Sequence, residues 1–281
     1  MKYILYPGCA GEATTKEALK STTSVLDFLK VDYTENEALS CCGAGIVEEE
    51  DPEFEVSINA RNFALAEQEE RDILTICNTC LFTMLRVQKT LREDQKLLDQ
   101  VNQDLATIGL SYKGTVKVTH FLWFLRDEIG LDKIKSLIKN PINQLKIAPF
   151  YGCHIIRPTD VMNDEKEPEF MNELIKACGA QDVEYKDKYN CCGFHILLAD
   201  QDTSLKMTED CLINANKSKA DMLVTPCTLC HINLDGYQAE ATSAEMPPTP
   251  VLHLGQMLGL AVGLKPKALG LHQNLVPVGK L

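Results

Sequence analysis

Short apolar runs alternate with longer amphipathic stretches along the whole chain. The runs at Lys2–Tyr6 and Lys146–Tyr151 each end at a Gly-Cys pair and predict short strands. Two further runs, Asp72–Ile76 and Asp221–Thr225, also predict strands, and each leads directly into a Cys-x-x-Cys motif. In this pattern the cysteines follow the carboxyl ends of the strands.

The stretches between these runs have helical character. Thr15–Leu29 is amphipathic, and an Asp-Pro start signal precedes a second predicted helix over Pro52–Glu70. Leucines recur at helical spacing within Arg86–Leu105, which predicts one extended, solvated helix, with a partner-binding role as the alternative. Strands separated by helices indicate parallel sheets.

The pattern is repeated once along the chain. Cys41, Cys42, Cys77 and Cys80 recur 150 residues later as Cys191, Cys192, Cys227 and Cys230, and Cys9 corresponds to Cys153. A fainter correspondence pairs His120 with His253. We therefore predict an α/β fold of two pseudo-repeated Rossmann-like halves with parallel sheets: a first half, residues 1–140, and a second half, residues 141–281.

Composition narrows the function classes. The chain has 281 residues, a net charge of -12 and a pI near 5.0, which argues against a nucleic-acid surface. The sequence shows neither an apolar run long enough to span a membrane nor a secretory signal, so we expect a cytoplasmic protein without a membrane segment. Twelve cysteines in that compartment favour metal binding or redox chemistry over disulfides.

Five cysteines in each half are an unusual number. A structural zinc site and a cubane iron–sulfur cluster each use four ligands, so one thiol would be left over. Adjacent side chains of an extended strand point to opposite faces, and both members of a Cys-Cys pair can face one site only where the chain turns. Gly43 and Gly193 supply a permissive backbone at that point. We therefore expect an iron–sulfur cluster held by five thiolates in each half.

The two cassettes, Cys-x(31–37)-Cys-Cys-Gly-x(33)-Cys-x-x-Cys, resemble the CCG domain pair of the heterodisulfide reductase B subunit of methanogenic archaea. The resemblance covers essentially the whole chain and implies two related α/β halves, each with a noncubane [4Fe-4S] cluster. By that resemblance one cluster would be held by Cys9, Cys41, Cys42, Cys77 and Cys80. The other would be held by Cys153, Cys191, Cys192, Cys227 and Cys230.

The resemblance further implies reduction of the coenzyme M/coenzyme B heterodisulfide to two thiols, in a slot shared by the halves. His154 and His195 are the best-placed proton donors, although each could instead hydrogen-bond a cluster sulfur or pack in the wall. The substrate is anionic, and the basic residues flanking the second cassette are its candidate partners or else ordinary surface charges. These residues are Arg157, Lys186 and Lys188.

Neither a ferredoxin motif nor a G-x-G-x-x-G fingerprint occurs, so we expect electrons to arrive from another chain. The resemblance implies a C subunit with cubane clusters and a flavin-containing, electron-bifurcating A subunit, with a hydrogenase or formate dehydrogenase attached. The alternatives are a CCG subunit of a lactate or glycolate oxidation system and a zinc-stabilised scaffold. Cys178 and Cys211 lie outside the cassettes and are predicted to be buried.

Overall fold

The computed structural model describes residues 2–162, 168–243 and 246–279. The strands are β1 (Lys2–Tyr6), β2 (Asp32–Glu35), β3 (Asp72–Thr75), β4 (Val118–His120), β5 (Lys146–Pro149), β6 (Gln181–Asp182), β7 (Met222–Thr225) and β8 (Val251–His253). The helices of the first half are α1 (Gly8–Ala13), α2 (Lys16–Leu29), α3 (Ile46–Glu50), α4 (Pro52–Gln68), α5 (Asn78–Glu93), α6 (Gln95–Ala106), α7 (Phe121–Phe124) and α8 (Leu131–Leu137). Those of the second half are α9 (Phe170–Ala177), α10 (Gln201–Lys217), α11 (Thr228–His231), α12 (Gln238–Ala241) and α13 (Leu254–Ala261).

The strands form two parallel sheets with the same topology. Their orders are β2-β1-β3-β4 and β6-β5-β7-β8, and every pairing is parallel. The middle strands are apolar because helices cover both faces of a parallel sheet, and Ile4 and Leu223 are fully buried. The predicted α/β class with two pseudo-repeated Rossmann-like halves is confirmed.

The prediction of one solvated helix over Arg86–Leu105 is wrong. The helix ends before Asp94, whose carboxylate accepts a hydrogen bond from the backbone N–H of Leu97 and so caps the start of α6. Leu91 and Leu105 are buried against the core of the first half. The leucine periodicity reflects apolar stripes on two successive helices, and both stripes pack against the core. A fully solvated helix would not need such a stripe.

The last strand of each sheet ends in a histidine, and the two histidines occupy equivalent positions. His120 and His253 are fully buried, and the Nδ1 atom of each accepts the N–H two residues later, from Leu122 at 3.0 Å and Gly255 at 3.3 Å. Burial lowers the pKa of both imidazoles to about 3, so they serve as neutral helix caps. The predicted correspondence of these two positions is confirmed.

The halves also pack directly on each other. Helix α2 of the first half lies against α13 of the second, so closely that a Cβ on Gly255 would come within 2.8 Å of the Ser21 hydroxyl. Within the described ranges, the structure contains no helix with both the length and the apolar character needed to traverse a bilayer.

Candidate functional site

The cassette cysteines lie at the carboxyl ends of the sheets, where parallel α/β folds place their ligands. Cys77 occupies the N-cap position of α5 just after β3, and Cys227 occupies that of α11 just after β7. Cys9 lies in the first turn of α1, which follows β1, and Cys153 lies beyond the end of β5. The repeated topology therefore places the two sets of cysteines in equivalent positions.

The five cassette cysteines of the first half form a continuous series of thiol contacts. Cys9 hydrogen-bonds Cys41, and Cys41 hydrogen-bonds Cys42. The Cys42 Sγ lies 3.6 Å from that of Cys80, which in turn contacts Cys77. Cys9 and Cys41 are exposed, whereas the other three are buried.

The second half repeats this arrangement. Its thiols contact one another in the order Cys153, Cys191, Cys192, Cys230 and Cys227. Hydrogen bonds from neighbouring thiols lower the pKa of Cys191 to about 2, and those from Cys42 and Cys9 do the same for Cys41. In each series the first cysteine of the Cys-Cys pair is therefore a thiol that readily becomes a thiolate.

Each Cys-Cys-Gly segment makes the turn that brings both thiols to one side. Gly43 and Gly193 have φ values of 82° and 92°, in the region that favours glycine. The Gly43 N–H donates to the Cys41 sulfur at 3.5 Å, and the Gly193 N–H approaches the equivalent sulfur at 3.4 Å. The glycine thus allows the turn and also contributes a donor to the first thiol.

The buried carbonyl of the second cysteine in each pair is held by side chains of the surrounding helices. Asn59 donates to the carbonyl of Cys42 at 2.7 Å. Asn233 and Thr208 both donate to the carbonyl of Cys192 at 3.0 Å. These hydrogen bonds provide partners for the buried carbonyl groups and fix each turn against the helices.

Two glycines leave room for the sulfur atoms of the buried thiols. At Gly8 a Cβ would lie 2.9 Å from the Cys80 sulfur, and at Gly152 it would lie 2.9 Å from the Cys230 sulfur. Any larger residue would occupy the space of a ligand sulfur in either half. Among the described His, Cys, Asp and Glu side chains, no three are arranged around a point suited to a single metal ion. Cysteine thiolates are instead the ligands that hold the irons of iron–sulfur clusters.

Two histidines of the second half meet a threonine of the first. The Thr79 hydroxyl oxygen lies 3.0 Å from Nδ1 of His154 and 3.0 Å from Nε2 of His195. The ring centroids of the two histidines are 4.9 Å apart, and the Phe82 ring lies tilted beside that of His154 with a centroid distance of 4.8 Å. Burial lowers the pKa of His154, whereas His195 is exposed.

Thr79 is a site residue that sequence reasoning missed. It lies between Cys77 and Cys80, and its counterpart 150 residues later is Leu229. That polar-for-apolar difference inside an otherwise repeated motif was the available signal. Only the structure could reveal this contact, because it joins residues that are far apart in the chain.

The openings to the two sites differ in charge. Cys9 and Cys41 line a cavity of about 230 Å³ together with Glu12, Glu35 and Glu37. Near the second site, Cys153 and His154 line an open depression of about 530 Å³, and its charged wall residue is Arg157. The acidic opening belongs to the first site and the basic one to the second.

The other basic candidates lie in different settings. Lys186 lines a separate depression beside Cys191, together with acidic residues. The Lys188 ammonium lies 2.7 Å from the Glu169 carboxylate and above the Tyr189 ring, so its charge is already paired. Among the three sequence candidates, Arg157 is thus the one that shares an opening with His154.

The two cysteines outside the cassettes are buried, as predicted. Cys178 is fully buried and Cys211 is 3% exposed, and burial raises the pKa of each thiol to about 12. Neither belongs to the thiol series. They are apolar packing residues.

Comparison with known proteins agrees with the repeated architecture. The family model described as Cysteine-rich domain, CCG, matches residues 3–85 and 147–235. A solved structure, a hypothetical protein from Helicobacter pylori, superposes with a TM-score of 0.82 at 15% identity, over 99% of this chain and 52% of its own. This chain thus spans about half of that protein, and the likeness supports the fold.

Curated relatives match over nearly their full length. The 8-methylmenaquinol:fumarate reductase membrane anchor subunit of Wolinella succinogenes is 39% identical over 100% of this chain and 99% of its own. The B subunit of ferredoxin:CoB-CoM heterodisulfide reductase from Methanosarcina mazei is 35% identical, and that of the ferredoxin/F(420)H(2)-dependent enzyme from Methanosarcina acetivorans is 36% identical. Both cover 98% of this chain and 94% of their own. The chain belongs to the family of paired CCG cysteine-rich domain proteins that includes the heterodisulfide reductase B subunits.

Proposed function

We propose that this protein is the iron–sulfur subunit of a heterodisulfide reductase and reduces the mixed disulfide of coenzyme M and coenzyme B to the two thiols. The observation that supports the proposal best is the junction of the halves, where two five-thiol series meet beside His154 and His195. Relatives named as heterodisulfide reductase B subunits match 98% of this chain in sequence, which also supports the proposal. The division into residues 1–140 and 141–281 is part of this proposal.

Each five-thiol series would hold one noncubane [4Fe-4S] cluster. The first would use Cys9, Cys41, Cys42, Cys77 and Cys80, and the second Cys153, Cys191, Cys192, Cys227 and Cys230. Bound clusters would supply one-electron transfer, and a disulfide needs two electrons. The contact between Cys77 and Cys227 supports this pairing of two one-electron centres.

The chain's own residues would bind the substrate and handle its protons. Arg157 supplies positive charge at the opening that contains His154. The two histidines lie at the same junction, and each can deliver a proton to a sulfur that leaves the disulfide. Electrons would come from a C subunit with cubane clusters and a flavin-containing A subunit, with a hydrogenase or formate dehydrogenase in the complex.

A second candidate is a CCG subunit of a quinol:fumarate reductase. The full-length 39% identity to the Wolinella succinogenes subunit favours it. A cavity of about 150 Å³ lies at the junction of the halves, and its wall combines apolar side chains with the polar side chains of Thr119, Arg126 and Asp127. Leu81, Leu85, Trp123, Ile155 and Met162 contribute to its wall.

One assay separates the two candidates. The protein, purified anaerobically with its partner subunits, is given a reduced viologen dye and the coenzyme M/coenzyme B disulfide, and thiol release is measured. A heterodisulfide reductase releases two thiols per disulfide, and His154→Ala and His195→Ala slow it while the iron content stays unchanged. Absence of thiol release, together with fumarate reduction driven by a methylated menaquinol, would establish the second candidate instead.

A further inference from the structure

The side chains of Thr79, His154 and His195 form a hydrogen-bonded group that crosses the junction of the halves. The Thr79 hydroxyl lies 3.0 Å from one ring nitrogen of each histidine. Thr79 is 4% exposed, so water does not compete freely for its hydroxyl. The threonine therefore links two imidazoles that are 41 residues apart in sequence.

The chemistry of a hydroxyl constrains both rings at once. Thr79 has a single proton to donate and can therefore donate to only one of the two nitrogens. To complete the second hydrogen bond, the other ring must donate its own N–H to the hydroxyl oxygen. Two neutral rings then have opposite arrangements: one outward nitrogen carries a proton, and the other does not.

We propose that Thr79 is a positioning residue that makes His154 and His195 one hydrogen-bonded unit with complementary proton positions. The inference rests on the proposed function, in which these histidines handle protons beside the disulfide. Thr79 itself acts through the two rings, by holding them in place and selecting their tautomers.

The pseudo-symmetry of the fold provides independent support. The pseudo-symmetry relates Thr79 to Leu229 in the second half, and it relates His154 and His195 to Ala10 and Gly45 in the first half. All three polar groups are thus absent together, although the ten cassette cysteines are retained in both halves. Both five-thiol series form although this hydrogen-bonded unit occurs only once. The unit therefore has a role that is needed on only one side of the junction.

The helix that carries Thr79 offers a matched control. Thr83 lies one turn further along α5, is fully buried, and its hydroxyl has no hydrogen-bond partner in the part of the chain that the structure describes. Thr83→Val and Thr79→Val therefore make the same chemical change on the same helix. Thr79→Val removes the hydrogen bonds to His154 and His195, whereas Thr83→Val removes none among the described residues.

The test compares T79V, T79S and T83V in the cluster-loaded complex. T79V removes both hydrogen bonds, and we expect it to lower kcat by at least about fivefold, the effect of losing one, with KM and iron content unchanged. T79S should retain turnover because it keeps the hydroxyl, and T83V should match the parent protein. In an H195A background T79V should have no further effect, since residues that act as one unit are not additive.

A second readout does not depend on turnover. Diethyl pyrocarbonate modifies free imidazole nitrogens, and mass spectrometry of peptides locates the modification. We expect T79V, and neither T79S nor T83V, to raise the modification rate about fivefold at one of the two histidines, the ring whose unprotonated nitrogen accepts from Thr79.

The outcomes separate this inference from the proposed function. If T79V and T83V behave alike in both readouts, the positioning role of Thr79 is wrong even when H154A and H195A slow turnover. If H154A and H195A leave turnover unchanged, the proton role in the proposed function fails. A changed modification rate in T79V would then still show that Thr79 holds the rings.

Discussion

The thiols of Cys77 and Cys227 contact each other across the junction of the two halves. Both are buried, and each is the last member of its own five-thiol series. The two candidate cluster sites therefore adjoin through protein, without intervening solvent. A pair of centres so placed can exchange electrons and serve one substrate.

We expect roughly eight iron atoms per chain after anaerobic purification, because each [4Fe-4S] cluster contributes four. Cys41→Ser and Cys191→Ser should each remove about half of this iron. In the parent protein, electron paramagnetic resonance of the reduced state should show interaction between the two centres, and either variant should remove it. Stoichiometric zinc with little iron would contradict the proposed cofactor.

Gly152→Ala should remove the second cluster, because the added Cβ would lie 2.9 Å from the Cys230 sulfur. Gly114→Ala is the matched control: both glycines have φ of 77°, but Gly114 has no atom within 4 Å of an added Cβ. Both variants should lose about 1–2 kcal/mol of stability from the strained backbone. Iron analysis should show a loss of about half only in Gly152→Ala, and equal iron in the two would refute the steric argument.

Arg86→Met should destabilise the protein mainly at alkaline pH. The Arg86 guanidinium bonds the carboxylates of Glu48 on α3 and of Glu55 on α4. Glu55 is 2% exposed, and burial raises its pKa to about 7 although Arg86 opposes the shift. Because the folded-state pKa exceeds the unfolded value, ionisation of Glu55 weakens the fold as pH rises through about 4.5 to 7. Without Arg86 that penalty grows.

The expected loss for Arg86→Met is about 3 kcal/mol at pH 8 and much less at pH 5, measured by chemical denaturation. Adding Glu55→Gln to the variant should restore most of the stability at pH 8, since no buried charge then remains. Equal losses at both pH values would show that packing of the Arg86 side chain on Phe82 matters more than its charge.

Arg157→Ala should raise KM for an anionic disulfide about tenfold and leave kcat nearly unchanged, because one charge-assisted hydrogen bond is worth roughly 1.5 kcal/mol. Arg157→Lys should recover part of the loss. Lys188→Ala should not change KM, since Glu169 already pairs with that ammonium. Steady-state kinetics of the three variants tests this prediction. A larger increase of KM in Lys188→Ala than in Arg157→Ala would show that the anion binds near Lys188 instead.

The sequence alone determined the repeated architecture. Apolar runs of four or five residues that end at cysteines, with helical stretches between them, are enough to predict parallel strands. An offset of 150 residues relates four of the five cassette cysteines of the first half to those of the second. The Cys-Cys-Gly turn was also predictable, since both thiols of such a pair can share one side only where glycine permits a positive φ. These are local consequences of backbone geometry and side-chain polarity.

Only the tertiary structure decided which residues from different halves meet. The contact of Cys77 with Cys227 and the placement of Thr79 between two histidines depend on how α5 packs on the loops of the second half. Likewise, the periodicity of leucines could not show that the helix ends before Asp94 and turns inward, because burial depends on the neighbouring surfaces. Long-range contacts arise from the packing of whole elements, and no local pattern records them.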